Sequence, residues 1–284
     1  MRAMNHKPAR FRKRMAQIVS STADLAPGDA ASAGVDLAPF RIDRIRALDD
    51  PLFETAYAPL WAEFGAKHEM ELRETLARRF ALAPRMLYEM LLVRRGGEFV
   101  AVRDHTAVVA DGGAVVHLSH NLIVLTARRT GLAGWLRAWP IQTARECLAA
   151  NGAAVDAPVT LVAEMEHASP DDPARGIRLR AYEKAGFRKI DPALLDSHQP
   201  DFRAPEVIDA TGGARPLAFQ LIVRRVGKED EQMISGREVR ELVSALYAIY
   251  SPQFRPADLA HRLLAPARLP PDDAVIALLP PTQC

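Results

Sequence analysis

Two segments of the chain carry polar side chains at every second position, and some of these side chains can accept a proton. The first segment holds His117, Ser119 and Asn121, and the second holds Glu164 and Glu166. Because alternate side chains of a strand share one face, each segment predicts a strand with one polar face. An imidazole and two carboxylates lining a cleft are candidates for a general base.

The polar faces are unusual because a central parallel strand normally has both faces covered by helices. Two simpler interpretations stay open. The polar faces are solvated, or the glutamates pair with arginines such as Arg178 or Arg180. His120 falls on the opposite, apolar face in this alternation, and we expect it to be a hydrogen-bonded core residue.

A turn rich in arginine and glycine, ARRTGLAGWLRAW at residues 127–139, follows a short β-branched run. Leu132, Trp135, Leu136 and Trp139 then recur at helical spacing, which places the glycines at a strand-to-helix turn. The first amides of a helix lack internal partners and the helix dipole is positive there, so such a turn is typical of an anion site. A tight turn that only needs glycine is the alternative.

The remaining periodicity predicts an α/β fold whose sheet begins as an antiparallel meander. A strand, a helix and a further strand then imply a right-handed crossover and a parallel pair. Predicted strands cover residues 40–46, 87–95, 99–110, 114–125, 159–167, 187–190 and 217–225. Predicted helices begin near Asp49 and cover 69–83, about 132–151, 174–185, 237–250 and 256–264.

Two motifs give the sequence a specific resemblance. The helix end Tyr182-Glu-Lys-Ala-Gly-Phe187 resembles the second signature of the GNAT superfamily of N-acetyltransferases, and Arg128-Arg-Thr-Gly131-Leu-Ala133 resembles the first. Each motif lies in the expected strand–helix context, and the resemblance covers roughly residues 40–226. One departure is Arg175, where many members carry asparagine.

The resemblance implies a GNAT-like single domain over residues 36–228, with a mixed, mostly antiparallel sheet of six to seven strands and helices on both faces. Composition predicts a disordered basic tail over 1–35, and amphipathic patterning predicts a short C-terminal helical extension over 229–284. The apolar stripe of its first helix needs a cover, and we expect the protein's own body to supply it, with a homodimer seam or a lid as alternatives.

The resemblance also implies a site for acyl-coenzyme A. Backbone amides near the turn would hold the diphosphate, and the main chain just before it would pair with the pantetheine arm. The phosphate-binding residues implied are Arg128, Arg129, Thr130, Gly131, Leu132, Ala133 and Gly134, and those at the pantetheine are Ile123, Val124 and Leu125. Tyr182 would protonate the departing thiolate. No metal is implied, and no ligand spacing suggests one.

The acceptor of such a transfer needs a base, because an alkylammonium with a pKa near 10 must lose a proton before it attacks the thioester. His117, Glu164 and Glu166 are the candidates. A water chain with no dedicated base is a further alternative.

Composition limits the remaining function classes. The chain has 284 residues and a net charge of +2, with six basic and no acidic residues among the first 20, so the rest carries −4. We therefore interpret the basic tail as the composition bias of an arginine-rich bacterial reading frame, with an arm that binds nucleic acid as the less favoured alternative. Two cysteines form neither a disulfide framework nor a metal site, and a reducing cytoplasm is expected. No apolar stretch is long enough to span a bilayer.

The sequence therefore predicts an acyl-CoA-dependent N-acyltransferase, using acetyl-CoA and a small-molecule or protein amine in a ternary complex. The alternative is a non-catalytic acyl-CoA-binding sensor or interaction module.

Overall fold

A computed structural model describes residues 18–195, 197–253 and 269–283. The main element is a nine-stranded sheet in the order β1-β2-β3-β4-β5-β9-β6-β11-β10, and a separate two-stranded sheet joins β7 and β8. The strands are β1 Phe40–Ile45, β2 Met86–Arg95, β3 Glu98–Ala110, β4 Gly113–Ile123, β5 Val159–Met165, β6 Arg188–Ile190, β7 His198–Gln199, β8 Leu217–Ala218, β9 Gln220–Arg225, β10 Met233–Ser235 and β11 Val275–Leu279.

Helices cover both faces of the large sheet, as predicted. Helices α3 and α4 pack on one face, and α1, α2 and α6 pack on the other. The helices are α1 Phe53–Phe64, α2 Arg73–Phe80, α3 Leu132–Ala150, α4 Pro173–Lys184, α5 Pro205–Ala210 and α6 Gly236–Tyr250. None of the helices in the described ranges is long and apolar enough to cross a membrane.

Strands β4 and β5 are parallel, as the strand–helix–strand order predicted, but they pair over a short distance only. Their register runs from Ala114 opposite Val159 to His117 opposite Val162. Beyond His117, β4 continues to Ile123 and β5 to Met165 without pairing to each other. The two strands therefore separate at the middle of the sheet, where the polar residues lie.

A bulge in β4 changes the predicted alternation. Leu118 lies opposite His105, while Asn121 lies opposite Arg103, so β4 has one residue more than β3 between these pairs. Because a bulge shifts the side-chain period by one, His117 and His120 both lie on the α1, α2 and α6 face. The expectation that they point to opposite faces is wrong for this reason.

The N-terminal segment, defined as residues 18–38, is ordered against α3 and was expected to be disordered up to residue 35. Two short 3-10 helices, Thr22–Asp24 and Pro27–Gly34, lie in this segment. The Trp135 indole donates to the Ser32 carbonyl at 2.8 Å, and Ala26 is 1% exposed within the core. The prediction of disorder rested on composition alone, which does not contain these specific contacts with α3. Residues 1–17 lie outside the described part.

The C-terminal extension belongs to the main sheet instead of forming a purely helical appendage. Strand β11 pairs with β6, and β10 pairs with β11. These two strands bring the sheet to nine strands, where six to seven were expected. Helix α6 begins with a capping box between Ser235 and Glu238 and buries its apolar stripe against the sheet. The helix predicted at 256–264 lies outside the described residues.

Packing of α6 can be tested with a buried and an exposed apolar residue on helices. Leu246 in α6 is 4% exposed and Ile177 in α4 is 61% exposed. We expect Leu246→Ala to lower the free energy of unfolding by about 2–5 kcal/mol through lost transfer energy and a cavity, and Ile177→Ala to change it by less than about 0.5 kcal/mol. Urea denaturation measures both. Equal effects would show that α6 does not form part of the core.

Candidate functional site

A buried cluster of His117, Glu164 and Tyr250 lies where β4 and β5 separate. The Tyr250 hydroxyl donates to Glu164 Oε2 at 2.5 Å and lies 3.2 Å from His117 Nε2. His117 Nε2 and Glu164 Oε2 are 3.4 Å apart, and both side chains are 5% exposed. The structure thus brings together two of the three predicted bases with a tyrosine from the C-terminal helix.

Hydrogen bonding indicates how this cluster is protonated. Burial, followed by the charge of Glu164, raises the pKa of Tyr250 well above its ordinary value, so this hydroxyl keeps its proton and donates it to Glu164. The Tyr250 oxygen can then accept from His117 Nε2–H. This assignment leaves Nδ1 as the proton-accepting nitrogen, 3.3 Å from the half-buried Ser119 hydroxyl.

Tyr250 is a residue that the sequence reasoning did not assign to the site. It was included only as the last member of the apolar stripe on α6. The available signal was a tyrosine on a buried stripe, since a buried hydroxyl usually has a hydrogen-bonding partner. Its partner could not be identified without the packing of α6 against β4 and β5.

Glu166 does not join the cluster. It pairs with Arg178 and lies 2.9 Å from Arg175 Nη2 on the surface. Strand β5 ends at Met165, so the alternation that would carry Glu166 to the same face as Glu164 does not reach it. The simpler interpretation, an arginine-paired glutamate, applies to this residue, and its role as a base is not supported by the geometry.

His120 is a hydrogen-bonded core residue, as expected, although on the other face. Its Nδ1 contacts Asp104 Oδ1 at 2.9 Å, and its Nε2 contacts the Glu69 carbonyl at 2.8 Å. Burial lowers its pKa, but Asp104 outweighs burial and raises the pKa of His120 to about 9. His120 is therefore a buried cation at neutral pH.

Ligand atoms of Glu71, Asp104 and His120 lie within 4.8 Å of one another, which is close enough to hold a metal ion. However, Arg79 already donates to Glu71 at 2.5 Å, and both nitrogens of His120 are engaged as donors. Two carboxylates are thus matched by two cations. Glu71, Asp104, His120 and Arg79 therefore form a network in which the charges balance. A metal ion bound there would have to displace a proton from His120 and the Arg79 guanidinium from Glu71.

Tyr182, the predicted acid, lies on the face of the sheet that carries α3 and α4. Its ring packs edge-on against Phe187, and its hydroxyl lies 3.4 Å from Arg103 Nη2. The Arg137 guanidinium lies 5.7 Å from the ring centroid. Burial raises the pKa of Tyr182, but the charges of Arg103, Arg137 and Arg178 outweigh it and leave the pKa below its ordinary value.

The predicted phosphate-binding turn has the geometry of a helix start. Gly131 is the N-cap of α3 with φ of 89°, and Arg129 also has a positive φ, 64°. Arg128, Arg129 and Thr130 are exposed. The turn therefore offers two cationic side chains beside the first amides of a helix, as an anion site requires.

The N-terminal segment lies directly over the same turn. A Cβ on Gly131 would stand 2.6 Å from Val35 Cγ2, and one on Gly134 would stand 2.3 Å from Ser32 Oγ. One turn further along α3, Arg137 donates to both carboxylate oxygens of Asp29, at 2.6 and 2.9 Å. In this structure, both glycines make room for the protein's own chain.

The predicted pantetheine-binding main chain is partly engaged within the protein. The Ile123 carbonyl accepts from Arg128 Nε at 3.2 Å, and the Val124 amide donates to the Val100 carbonyl at 3.0 Å. Leu125 begins a short 3-10 turn and is 76% exposed. Residues 123–125 lie directly before the α3 turn, and Ile123 and Val124 each use one backbone polar atom within the protein.

Comparison with known proteins finds distant structural likeness only. No family model matches the chain, and no curated protein matches it. A tandem GNAT protein from the clavulanic acid biosynthesis pathway is 20% identical, with a TM-score of 0.37, covering 57% of this chain and 46% of that one. A GNAT family acetyltransferase from Elizabethkingia anophelis with acetyl-CoA bound is 14% identical, with a TM-score of 0.39, covering 66% and 99%.

An N-acetylglutamate synthase from Neisseria gonorrhoeae, complexed with coenzyme A and N-acetylglutamate, is 14% identical with a TM-score of 0.38 and covers 66% of this chain. This chain spans 35% of that protein's length and less than half of the tandem protein's. The solved structures that resemble this chain thus include members of the family that the two motifs predicted. Likeness this distant does not assign an activity, which has to be inferred from the site.

The pKa of His120 leads to a prediction about stability. A histidine whose pKa is about 9 when folded and 6.5 when unfolded stabilises the fold fully below pH 6.5 and loses that contribution as the pH rises through 9. We expect unfolding free energy to fall over this window by up to roughly 3 kcal/mol. Urea denaturation at several pH values should show a shallower decline in His120→Asn. The exposed His68→Asn should retain the wild-type slope, and identical slopes in all three would contradict the prediction.

Proposed function

We propose that this protein is an acyl-CoA-dependent N-acyltransferase of the GNAT type that acylates a primary amine. The observation that carries the proposal is the His117–Glu164–Tyr250 cluster, placed where β4 and β5 separate. Tyr182, from the second motif, lies on the opposite face of the sheet. A base and an acid on opposite faces of a gap between strands suit an acceptor and a thioester that meet within it.

The base half of the reaction belongs to His117 with Glu164. His117 Nδ1 takes a proton from the alkylammonium acceptor, while Glu164 and Tyr250 hold the Nε2 side of the ring. A carboxylate near the imidazole stabilises the imidazolium that forms, as in other carboxylate–histidine pairs. The neutral amine then attacks the thioester carbonyl carbon and forms a tetrahedral intermediate.

The acid half belongs to Tyr182. When the intermediate collapses, the C–S bond breaks, the amide forms, and the thiolate of coenzyme A accepts the Tyr182 proton. A phenol whose pKa lies below its ordinary value is the better acid for this step, and Arg103 contributes to that lowering. The nitrogen that becomes the amide loses its remaining extra proton, which returns through solvent to the Tyr182 phenolate, and the His117 imidazolium releases its proton to solvent.

Binding of coenzyme A at the α3 start requires a change in the N-terminal segment. The diphosphate would bind amides of residues 129–134 together with the exposed Arg128 and Arg129. Val35 and Ser32 lie against Gly131 and Gly134, so the ligand and this part of the segment exclude each other. We propose that the segment leaves the turn when coenzyme A binds.

The same overlap favours a second candidate, a non-catalytic acyl-CoA sensor. A segment that is displaced by coenzyme A could report binding to a partner without any transfer. The two candidates differ in thioester consumption. Release of free thiol above background with a panel of small and peptide amines supports the enzyme, whereas coenzyme A binding without thiol release supports the sensor.

The two glutamates provide a matched test of the base. Glu164 contacts His117 and Tyr250, whereas Glu166 pairs with surface arginines. We expect Glu164→Gln to lower kcat/KM by about 10²-fold or more and Glu166→Gln to keep most activity. Steady-state thiol release measures both. A larger loss in Glu166→Gln, with normal folding of both variants, would transfer the role to Glu166.

The anion site can be tested by coenzyme A binding in two opposite directions. Arg129→Glu reverses an exposed charge at the turn and should weaken coenzyme A by at least about tenfold. Asp29→Ala removes the carboxylate that ties the N-terminal segment to Arg137 and should tighten it. The exposed Arg85→Glu should leave binding unchanged. Calorimetry that shows no difference between Arg129→Glu and Arg85→Glu would remove the site from this turn.

A further inference from the structure

Arg103 is a buried cation that lacks an ionic partner within the described ranges. It is 0% exposed, and its Nε and Nη1 have no hydrogen-bond partner there. Within those ranges its side chain makes one hydrogen bond, which Nη2 donates to the Tyr182 hydroxyl at 3.4 Å. An unpaired buried charge is costly, because the lost hydration is not replaced by another interaction.

Arg137, on α3 and beside the same Tyr182 ring, shows what a buried guanidinium there requires. It is 7% exposed, and the Asp29 carboxylate binds it through two hydrogen bonds. Both arginines flank Tyr182, but only Arg137 has a carboxylate. Within the described ranges, Arg103 therefore presents a positive charge without an ionic partner beside the proposed acid. Its Nη1–H and the second Nη2–H form a fork that can bind both oxygens of a carboxylate.

The position of this charge identifies which part of a ligand would reach it. The proposed diphosphate partners are the amides of residues 129–134, at the α3 start. Tyr182 is proposed to protonate the thiolate, so Arg103, next to its hydroxyl, lies near the thioester. An anionic group that binds there belongs to the acyl chain, not to the nucleotide.

We infer that Arg103 binds a carboxylate at the far end of the acyl group. The acyl donor is then a dicarboxylic acyl thioester of the malonyl, succinyl or glutaryl class. This inference rests on the proposed function and replaces acetyl by an acyl group with its own negative charge. The carboxylate pairs with Arg103 before and after transfer. The chemical step is unchanged: the amine–carbonyl bond forms, the C–S bond breaks, and Tyr182 supplies the thiolate proton.

The test compares succinyl-CoA with butyryl-CoA, which has a similar chain without the carboxylate. Calorimetry on the full chain should show that the wild-type protein binds succinyl-CoA at least about tenfold more tightly, as expected for a hydrogen-bonded charge pair. Arg103→Met should abolish the preference while binding butyryl-CoA with near wild-type affinity. Arg103→Lys, which keeps the charge but not the bidentate fork, should retain part of it.

A second measurement needs no ligand. Arg103→Met removes an unpaired buried charge and should raise the melting temperature, whereas Arg137→Met leaves Asp29 unpaired and should lower it. A lower melting temperature for Arg103→Met would contradict the premise that this charge is uncompensated.

The failures of the two proposals are distinguishable. Equal wild-type affinities for both thioesters, or a preference that persists in Arg103→Met, overturns the inference and leaves the acyltransferase proposal intact. Free coenzyme A binding more tightly than either thioester, with loss of this advantage in Arg103→Met, also overturns it and assigns Arg103 to the thiolate. A strong preference for succinyl-CoA without thiol release to any amine supports the carboxylate site and rejects the transferase.

Discussion

The separation of β4 and β5 is the constraint on which the rest of the structure depends. Two parallel strands that stop pairing after His117 and Val162 leave backbone and side-chain groups in mid-sheet without their usual neighbours. On one face, α6 covers the gap and places Tyr250 against His117 and Glu164. On the other face, α4 supplies Tyr182.

Among the described residues, every buried arginine except Arg103 has a carboxylate partner, which makes Arg103 informative. Arg44 binds Glu89 at 2.9 Å and Glu146 at 2.6 Å, linking β1, β2 and α3. Charge pairs of this kind contribute little net stability, but losing one partner is costly. Arg137 obeys the rule only because the N-terminal segment supplies Asp29. Arg103 has no ionic partner within the described residues, and it lies beside the residue proposed to handle the thiolate.

The sequence predicted the elements that depend on local patterning. Alternation located β4 and β5, helical spacing after Gly131 located α3, and the helix ending before Gly186 located α4. These gave the parallel pair and the proximity of His117 to Glu164. Features that depend on contacts between distant segments were not predictable. Examples are the bulge that places His120 on the same face as His117, the ion pairs between Glu166 and the arginines of α4, and the hydrogen bond from Tyr250 of α6 to Glu164.

The glycines at the α3 start show why a motif and its structure have to be considered together. Small residues at a helix start permit close approach, but they do not specify what approaches. Here Val35 and Ser32 make that approach, and Asp29 binds the arginine one turn further on. The segment presents a carboxylate to Arg137 and so uses the same interaction that an anionic ligand would use. Under the proposed displacement, the ligand would exchange one charge pair for another, and the free energy of the Asp29–Arg137 pair would oppose binding.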